Sequence, residues 1–236
     1  MRTAAVLPVK RFARAKQRLG ASVDDALRTA LAQAMVADVL LALAETAAIE
    51  RTIVVTSEPA AAAAAREHGA IVVADDAQSG QPAAVTLGVG RALADAFERV
   101  LCVPGDCPAL DAGELDGLLR TSPAAAGGAP GRRRHEVVIL PDRHGTGTNG
   151  LLLTPPDVMA PAFGPGSCER HRELAQAAGI PCRVERLPSL LLDVDTGADL
   201  AALRDRLSAH GPRASNTRAV LGQPERTDVL TITTSA

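Results

Sequence analysis

Tryptophan and tyrosine are absent from the 236 residues, and phenylalanine occurs only three times, at Phe12, Phe97 and Phe163. Binders of single-stranded nucleic acid stack bases on aromatic rings, so this composition argues against that class. Net charge is scarce as well. Lys and Arg number 25 against 27 Asp and Glu, for a formal charge of −2, which offers no basic field to a polyanion. The four cysteines, Cys102, Cys107, Cys168 and Cys182, form no C-x-x-C pair and follow no secretory apolar segment. A disulfide scaffold and a structural zinc site both lack support. The five histidines show no H-E-x-x-H spacing, and neither G-x-G-x-x-G nor the Walker sequence occurs. The longest helical run carries Asp38 and Glu45, short of the roughly 18 to 20 uninterrupted apolar residues that span a bilayer. A soluble, cytoplasmic protein with no nucleic-acid or membrane partner is the expectation.

What is present is an apolar content of 47%, mostly Ala, Val and Leu, enough for one α/β domain of ordinary size. "TAAVLPVK" reads as a buried strand and is followed by the basic loop "RFARAKQRL". Ser22, with Asp25 three residues on, marks a helix start, and Leu27, Leu31, Met35 and Val39 recur at helical spacing. "TIVVTS", the Ala-rich "PAAAAAAREHG" and "AIVVAD" complete a β-α-β-α-β unit. "PAAVTLGVGRALADAFE" then adds a helix and "RVLCVPGD" a strand. Such alternation implies a mostly parallel sheet flanked by helices. "DAGELDGLLR" reads as a helix, and "TSPAAAGGAPGRRRH" as a mobile surface loop. After it come the strands "EVVILPD" and "GLLLT", a helix "CERHRELAQAAG" capped by Ser167, and "LLLDVDTGADLAALRDRL" as strand, acidic turn and helix. The segment after His210 lacks a clear period and is expected to pack as an arm or to be partly disordered.

Three groups with chemical capacity fall at strand ends: Lys10 and Lys16 after the first strand, Asp106 in "PGD", and Asp193 with Asp195 in "DVDTGAD". In open α/β sheets, ligands bind beyond the carboxyl ends of the strands. Carboxylates converging there suit Mg²⁺, which takes one or two of them together with waters and substrate phosphates. The plainer alternatives are a turn role for Asp106, a helix cap from Asp195 and solvated surface lysines. Cys102 alternates within an apolar strand. Cys107 stands beside Asp106 with no partner His or second Cys, so cysteine chemistry is disfavoured. "HGTGTNG" and "FGPGS" offer exposed backbone N–H groups and hydroxyls, the latter at a helix N-terminus suited to anions.

From about residue 3 to 222, the ordered pieces "LPVKRFARAKQRL", "DDAQSGQPAAV", "PGDCPAL", "HGTGTNGLLL", "FGPGSCERH" and "LLLDVDTGADLAAL" resemble the phosphoenolpyruvate/2-phospho-L-lactate guanylyltransferase family of coenzyme F(420) biosynthesis. The resemblance implies a single-domain, nucleotidyltransferase-type, Rossmann-like sheet over residues 1–222, with 223–236 as a C-terminal tail. It implies Mg²⁺ as cofactor and transfer of GMP from GTP to phosphoenolpyruvate. The same reaction on 2-phospho-L-lactate or 3-phosphoglycerate, or transfer to another acceptor such as a pterin, is the alternative. By the same resemblance, Pro8, Lys10, Lys16, Gly80 and Gln81 meet the nucleotide, with Lys16 and Asp106 catalytic. Asp106, Asp193 and Asp195 hold the metal, and Thr148, Gly164 and Ser167 hold the three-carbon acid. The product would pass to the next enzyme of deazaflavin coenzyme synthesis. Broader relatives open with a Gly-rich "LAGG…R" loop, where this chain has "LPVK…AK". No coiled-coil seam is present, and the "VLTITTSA" tail could be ordered only in a partner's company, which leaves a homodimer open.

Overall fold

The β-branched and leucine-rich runs form strands that alternate with helices through the first half of the chain. The computed structural model describes residues 1–121, 135–209 and 213–222. Its elements are β1 (Thr3–Val9), α1 (Asp25–Glu45), β2 (Arg51–Thr56), α2 (Pro59–Glu67), β3 (Ile71–Ala74), α3 (Gln81–Ala94), β4 (Arg99–Cys102), α4 (Ala112–Thr121), β5 (Glu136–Pro141), β6 (Thr148–Thr154), α5 (Ser167–Ala177), β7 (Cys182–Val184), α6 (Gly197–Ala209) and α7 (Ser215–Leu221). Residues 122–134, most of the Gly/Pro/Ala loop, and the tail 223–236 lie outside the described residues.

Among the described residues, one seven-stranded sheet runs in the order β3-β2-β1-β4-β6-β5-β7. β1 pairs in parallel with both β2 and β4, β2 with β3, and β5 with β7, while β6 is antiparallel to β4 and β5. The mostly parallel α/β architecture expected from the sequence is therefore present. Because helices cover both faces, alternate residues of β1 enter different cores. Ala5, Leu7 and Val9 join the cluster that includes residues of α1, α2 and α4, whereas Ala4 and Val6 join that of α3 and α5. At Gly88, α3 lies so close to β1 that an added Cβ would stand 2.4 Å from a methyl of Val6. The glycine is required by that approach.

Three local expectations are corrected. Ser22 does not cap α1; Asp24 does, accepting the Leu27 N–H at 2.7 Å, while the Ser22 hydroxyl is seated against Gly197 at the start of α6. Ser167 is the first residue of α5, and Gly166, in the left-handed region, is its cap. The "LLLDV" stretch forms no strand. Pro188–Leu190 is a 3₁₀ turn, and Leu190, Leu192 and Val194 bury themselves between helices without a ladder. As expected of an arm, the described part of the segment after His210 packs on the domain: it includes a helix, α7, that lies on α1. Asp38 accepts the N–H groups of Asn216 and Thr217 at 3.0 and 2.8 Å, and the Thr217 hydroxyl at 2.6 Å. It thereby satisfies orphan donors at the start of α7. Helix α1 is long and apolar enough to cross a membrane by length and composition, yet most of it is buried inside this domain.

Candidate active site

In the strand order 3-2-1-4, the chain reverses direction of travel between β1 and β4, and a crevice is expected beyond their carboxyl ends. A cavity of about 320 Å³ opens there, within the usual size range of ligand pockets. The end of β1 supplies Pro8 and Lys10, the segment after it supplies Arg11, Arg14 and Lys16, and the start of α3 supplies Gly80 and Gln81. Asp106 and Asp195 close the far wall. Gly80 has φ 101° and ψ 175°, a conformation that essentially only glycine adopts, and it turns the chain into the N-terminus of α3.

Lys16 is the centre of the charge arrangement. Its residue is itself left-handed, with φ 56°, and the loop before it is pinned from α1. The buried Arg28 guanidinium donates to the carbonyls of Ala13, at 3.3 Å, and Ala15. The Lys16 ammonium donates to Asp106 Oδ2 and, at 2.7 Å, to Asp195 Oδ1. The lysine side chain is 9% exposed, against 23% for Asp106 and 47% for Asp195. Burial alone would lower the lysine pKa, but the two carboxylates outweigh it and hold the ammonium protonated well above its ordinary range.

The carboxylates come from two segments that are tied by their backbones. The Val194 N–H donates to the Asp106 carbonyl at 3.1 Å. Asp193 accepts the Asn149 side-chain amide at 3.1 Å, and Asn149 also donates to the Leu190 carbonyl at 2.8 Å. Burial, then the charge of Asp106, raises the Asp193 pKa, and the Asn149 bond opposes the rise. Asp195 does not cap α6. Thr196 and Asp199 form the capping pair, with the Thr196 N–H donating to Asp199 Oδ2 at 2.8 Å and the Asp199 N–H to the Thr196 hydroxyl at 3.3 Å. Asp195 is thereby left to face the cavity.

Asp106 Oδ1 is buried and has no hydrogen-bond partner among the described residues. A buried anionic oxygen without a donor is costly, and a hard cation is the kind of group that would satisfy it. The oxygen donors of Asp106, Asp193 and Asp195 thus fit a magnesium ion in kind. Among the described residues, no three acidic, His or Cys side chains already converge as a metal-ready group. Cys107 carries no chemistry here. It is buried with its Sγ toward the Leu190 carbonyl, and burial, followed by the charges of Asp106 and Asp193, raises its pKa well above the thiol range.

Thr148, Gly164 and Ser167 are not among the residues lining this cavity. Adjacent residues of β6 face opposite ways, so Asn149 reaches Asp193 while Thr148 meets His171 of α5, Oγ1 to Nδ1, at 3.1 Å. His171 Nε2 accepts the Ala162 N–H at 2.9 Å, so Nδ1 carries the proton and donates to Thr148. Burial, with a contribution from Arg170, pushes this histidine down to about 4, and the ring is neutral at pH 7. The "FGPGS" turn brings Gly164 to Ser167, whose N–H donates to the Gly164 carbonyl at 3.0 Å.

Sequence reasoning missed Arg28, His171 and Asp199, and it placed Asn149 only as a neighbour in register to Thr148, without its bond to Asp193. Each lies inside a regular periodic segment, and its partner is distant in sequence or fixed by a turn, so the only available signal was a polar residue at a core position.

The chain matches the family described as Guanylyl transferase CofC like over residues 3–217. It belongs to this family. Within the CofC-like guanylyl transferases, the chain is 46% identical over 228 residues to the phosphoenolpyruvate guanylyltransferase of Conexibacter woesei, covering 97% of this chain and 99% of that one. It is 33% identical over 220 residues to the 3-phospho-D-glycerate guanylyltransferase of Phenylobacterium zucineum, covering 92% and 94%. Among solved structures, it is similar to a nucleotidyl transferase from Methanothermobacter thermautotroptrophicus, with a TM-score of 0.61, 19% identity, and 89% and 99% of the two chains covered. At that identity the likeness is one of fold, and it agrees with the nucleotidyltransferase-type sheet expected from the sequence.

Proposed function

We propose that this chain transfers GMP from GTP to phosphoenolpyruvate, releasing pyrophosphate and leaving enolpyruvyl-2-diphospho-5'-guanosine, a step of coenzyme F(420) biosynthesis. The observation that carries the reading is the meeting of Lys16 with Asp106 and Asp195 on the wall of a cavity that Lys10 and the N-terminus of α3 also line. The choice of phosphoenolpyruvate is supported by the relative that is 46% identical along nearly the whole chain.

In this reading a phosphate oxygen of phosphoenolpyruvate attacks the α-phosphorus of GTP. The bond from that phosphorus to the bridging oxygen breaks, and pyrophosphate leaves with the electron pair. The nucleophile is already anionic at neutral pH, so no general base is needed, and the neutral, buried His171 is not one. The work of the protein is to hold two anions in line and to offset their charge. Lys10 and Lys16 meet the triphosphate, Pro8, Gly80 and Gln81 line the nucleotide's side, and Thr148, Gly164 and Ser167 receive the acid. Magnesium, held by Asp106, Asp193 and Asp195, supplies charge neutralisation at the phosphates when bound. These substrates belong to the cytoplasm, and the product is passed to the next enzyme of the route.

The Ser167 N–H is taken by Gly164, and the Cys168 N–H donates to the Thr146 carbonyl at 3.1 Å, so the hydroxyl is what Ser167 can offer the acid. Ser167→Ala is expected to raise KM for the acid about five- to tenfold, the worth of one hydrogen bond, and to leave KM for GTP nearly unchanged. Steady-state kinetics with each substrate varied would check it, and equal changes in both constants would remove Ser167 from the acid site.

The direct test measures pyrophosphate release with Mg²⁺ and GTP against phosphoenolpyruvate, 2-phospho-L-lactate and 3-phosphoglycerate, with ATP and CTP as controls. Release that requires GTP and phosphoenolpyruvate is expected. Release with 3-phosphoglycerate alone would move the acceptor to that of the Phenylobacterium relative, and no release with any acid would overturn the reading.

A further inference from the structure

The loop between β6 and α5 has no regular structure, yet two consecutive residues of α5 grip it. His171 is fully buried. It accepts the Ala162 N–H through Nε2 and donates to the Thr148 hydroxyl through Nδ1. The Phe163 ring meets it edge-on, with centroids 5.3 Å apart and planes at 76°. Arg170 takes hold of the same loop from outside, donating to the carbonyls of Ala162 at 2.9 Å and Pro165 at 2.7 Å. The loop then runs through Gly164 and Gly166, both at positive φ, which without support would have wide conformational freedom.

We propose that His171 and Arg170 are positioning residues for the acid, a role that rests on the acid site described under Proposed function. His171 joins Thr148, the first residue of β6, to Ala162, and so orients Thr148 relative to the turn that carries Gly164 and Ser167. Arg170 fixes the two carbonyls that flank Phe163 and Gly164. Neither residue touches the reacting atoms. Together they order the site before the acid arrives, so that binding does not have to order it. A buried imidazole suits this task because its two nitrogens, one donor and one acceptor, bridge groups that face opposite ways. A phenylalanine of similar size would leave both partners unpaired.

The test uses the full-length protein with His171→Asn and Arg170→Ala. Arg170 is exposed, so its variant keeps the question open if the histidine variant folds poorly. Two readouts are taken: amide hydrogen exchange of the 160–167 loop, and KM for phosphoenolpyruvate and for GTP. The expected result is faster exchange confined to the loop in both variants, with KM for phosphoenolpyruvate raised about tenfold by His171→Asn, KM for GTP within twofold and kcat little changed. Unchanged exchange would overturn the proposal, and so would loosened exchange with an unchanged KM for the acid, since the clamp would then be structural only. An unmutated protein that turns over none of the three acids would overturn both this proposal and the proposed function. That failure is told apart because it shows before any substitution is made.

Discussion

Asp106→Asn is expected to lower kcat/KM about a hundredfold or more, the scale of a lost electrostatic partner in an active site, and to leave the fold intact. The side chain has two separate tasks that a neutral amide cannot both perform. Oδ2 receives the Lys16 ammonium, and Oδ1 is buried without a donor among the described residues. Asparagine presents one oxygen and one NH₂. Either the NH₂ faces the ammonium, donor against donor, or it takes the place of the unpartnered oxygen and points two hydrogens where an acceptor stood. The negative charge is lost in both orientations. The backbone is spared, because the bond that ties the acidic turn to this one runs from the Val194 N–H to the Asp106 carbonyl. Circular dichroism and a Tm close to that of the unmutated protein, together with the fall in turnover, are the expected pair of results. Near-normal turnover would remove Asp106 from the catalytic machinery.

The parts of this molecule that the sequence disclosed are those built from contiguous residues. Strands β1 to β4 and the helices between them follow from apolar runs broken by Gly69 and by the Pro-Gly turn at 104–105, and parallel pairing follows from their alternation. Asp106 and Asp195 are legible because each follows a short apolar run, where a site in such a sheet belongs, whereas Lys16 lies in the loop well beyond the end of β1 and is read from its positive charge. The acidic turn was misread as beginning with a strand. Leu190, Leu192 and Val194 alternate like strand residues, but Pro188 removes a donor, and the leucines and valine find burial against α1 and α6. Periodicity reports burial, and only a neighbouring strand makes that burial a ladder. The supporting polar residues were hidden for a different reason. Arg28 and Asn149 act on groups 13 to 44 positions away, and no local pattern encodes such a pairing.

Lys16→Met is expected to reduce kcat/KM about 10²- to 10³-fold and also to destabilise the protein, and the two effects have different origins. Methionine preserves much of the stem and its packing while removing the charge. Asp106 and Asp195 are then left facing each other with no cation between them. Removing one member of a fully buried pair costs about 3–5 kcal/mol. Asp195 is about half in water, so the cost here is smaller, about 1–3 kcal/mol. The double substitution Lys16→Met with Asp195→Asn removes the repulsion along with the ammonium. Stability should recover part of its loss, measured by urea unfolding, and the coupling between the two sites should be visible as non-additivity. Activity should not recover, because the double variant lacks both the cation proposed for the triphosphate and a carboxylate proposed for the metal. If activity returned together with stability, the lysine would be no more than a counter-charge that holds two carboxylates together, and Lys16 would leave the catalytic machinery.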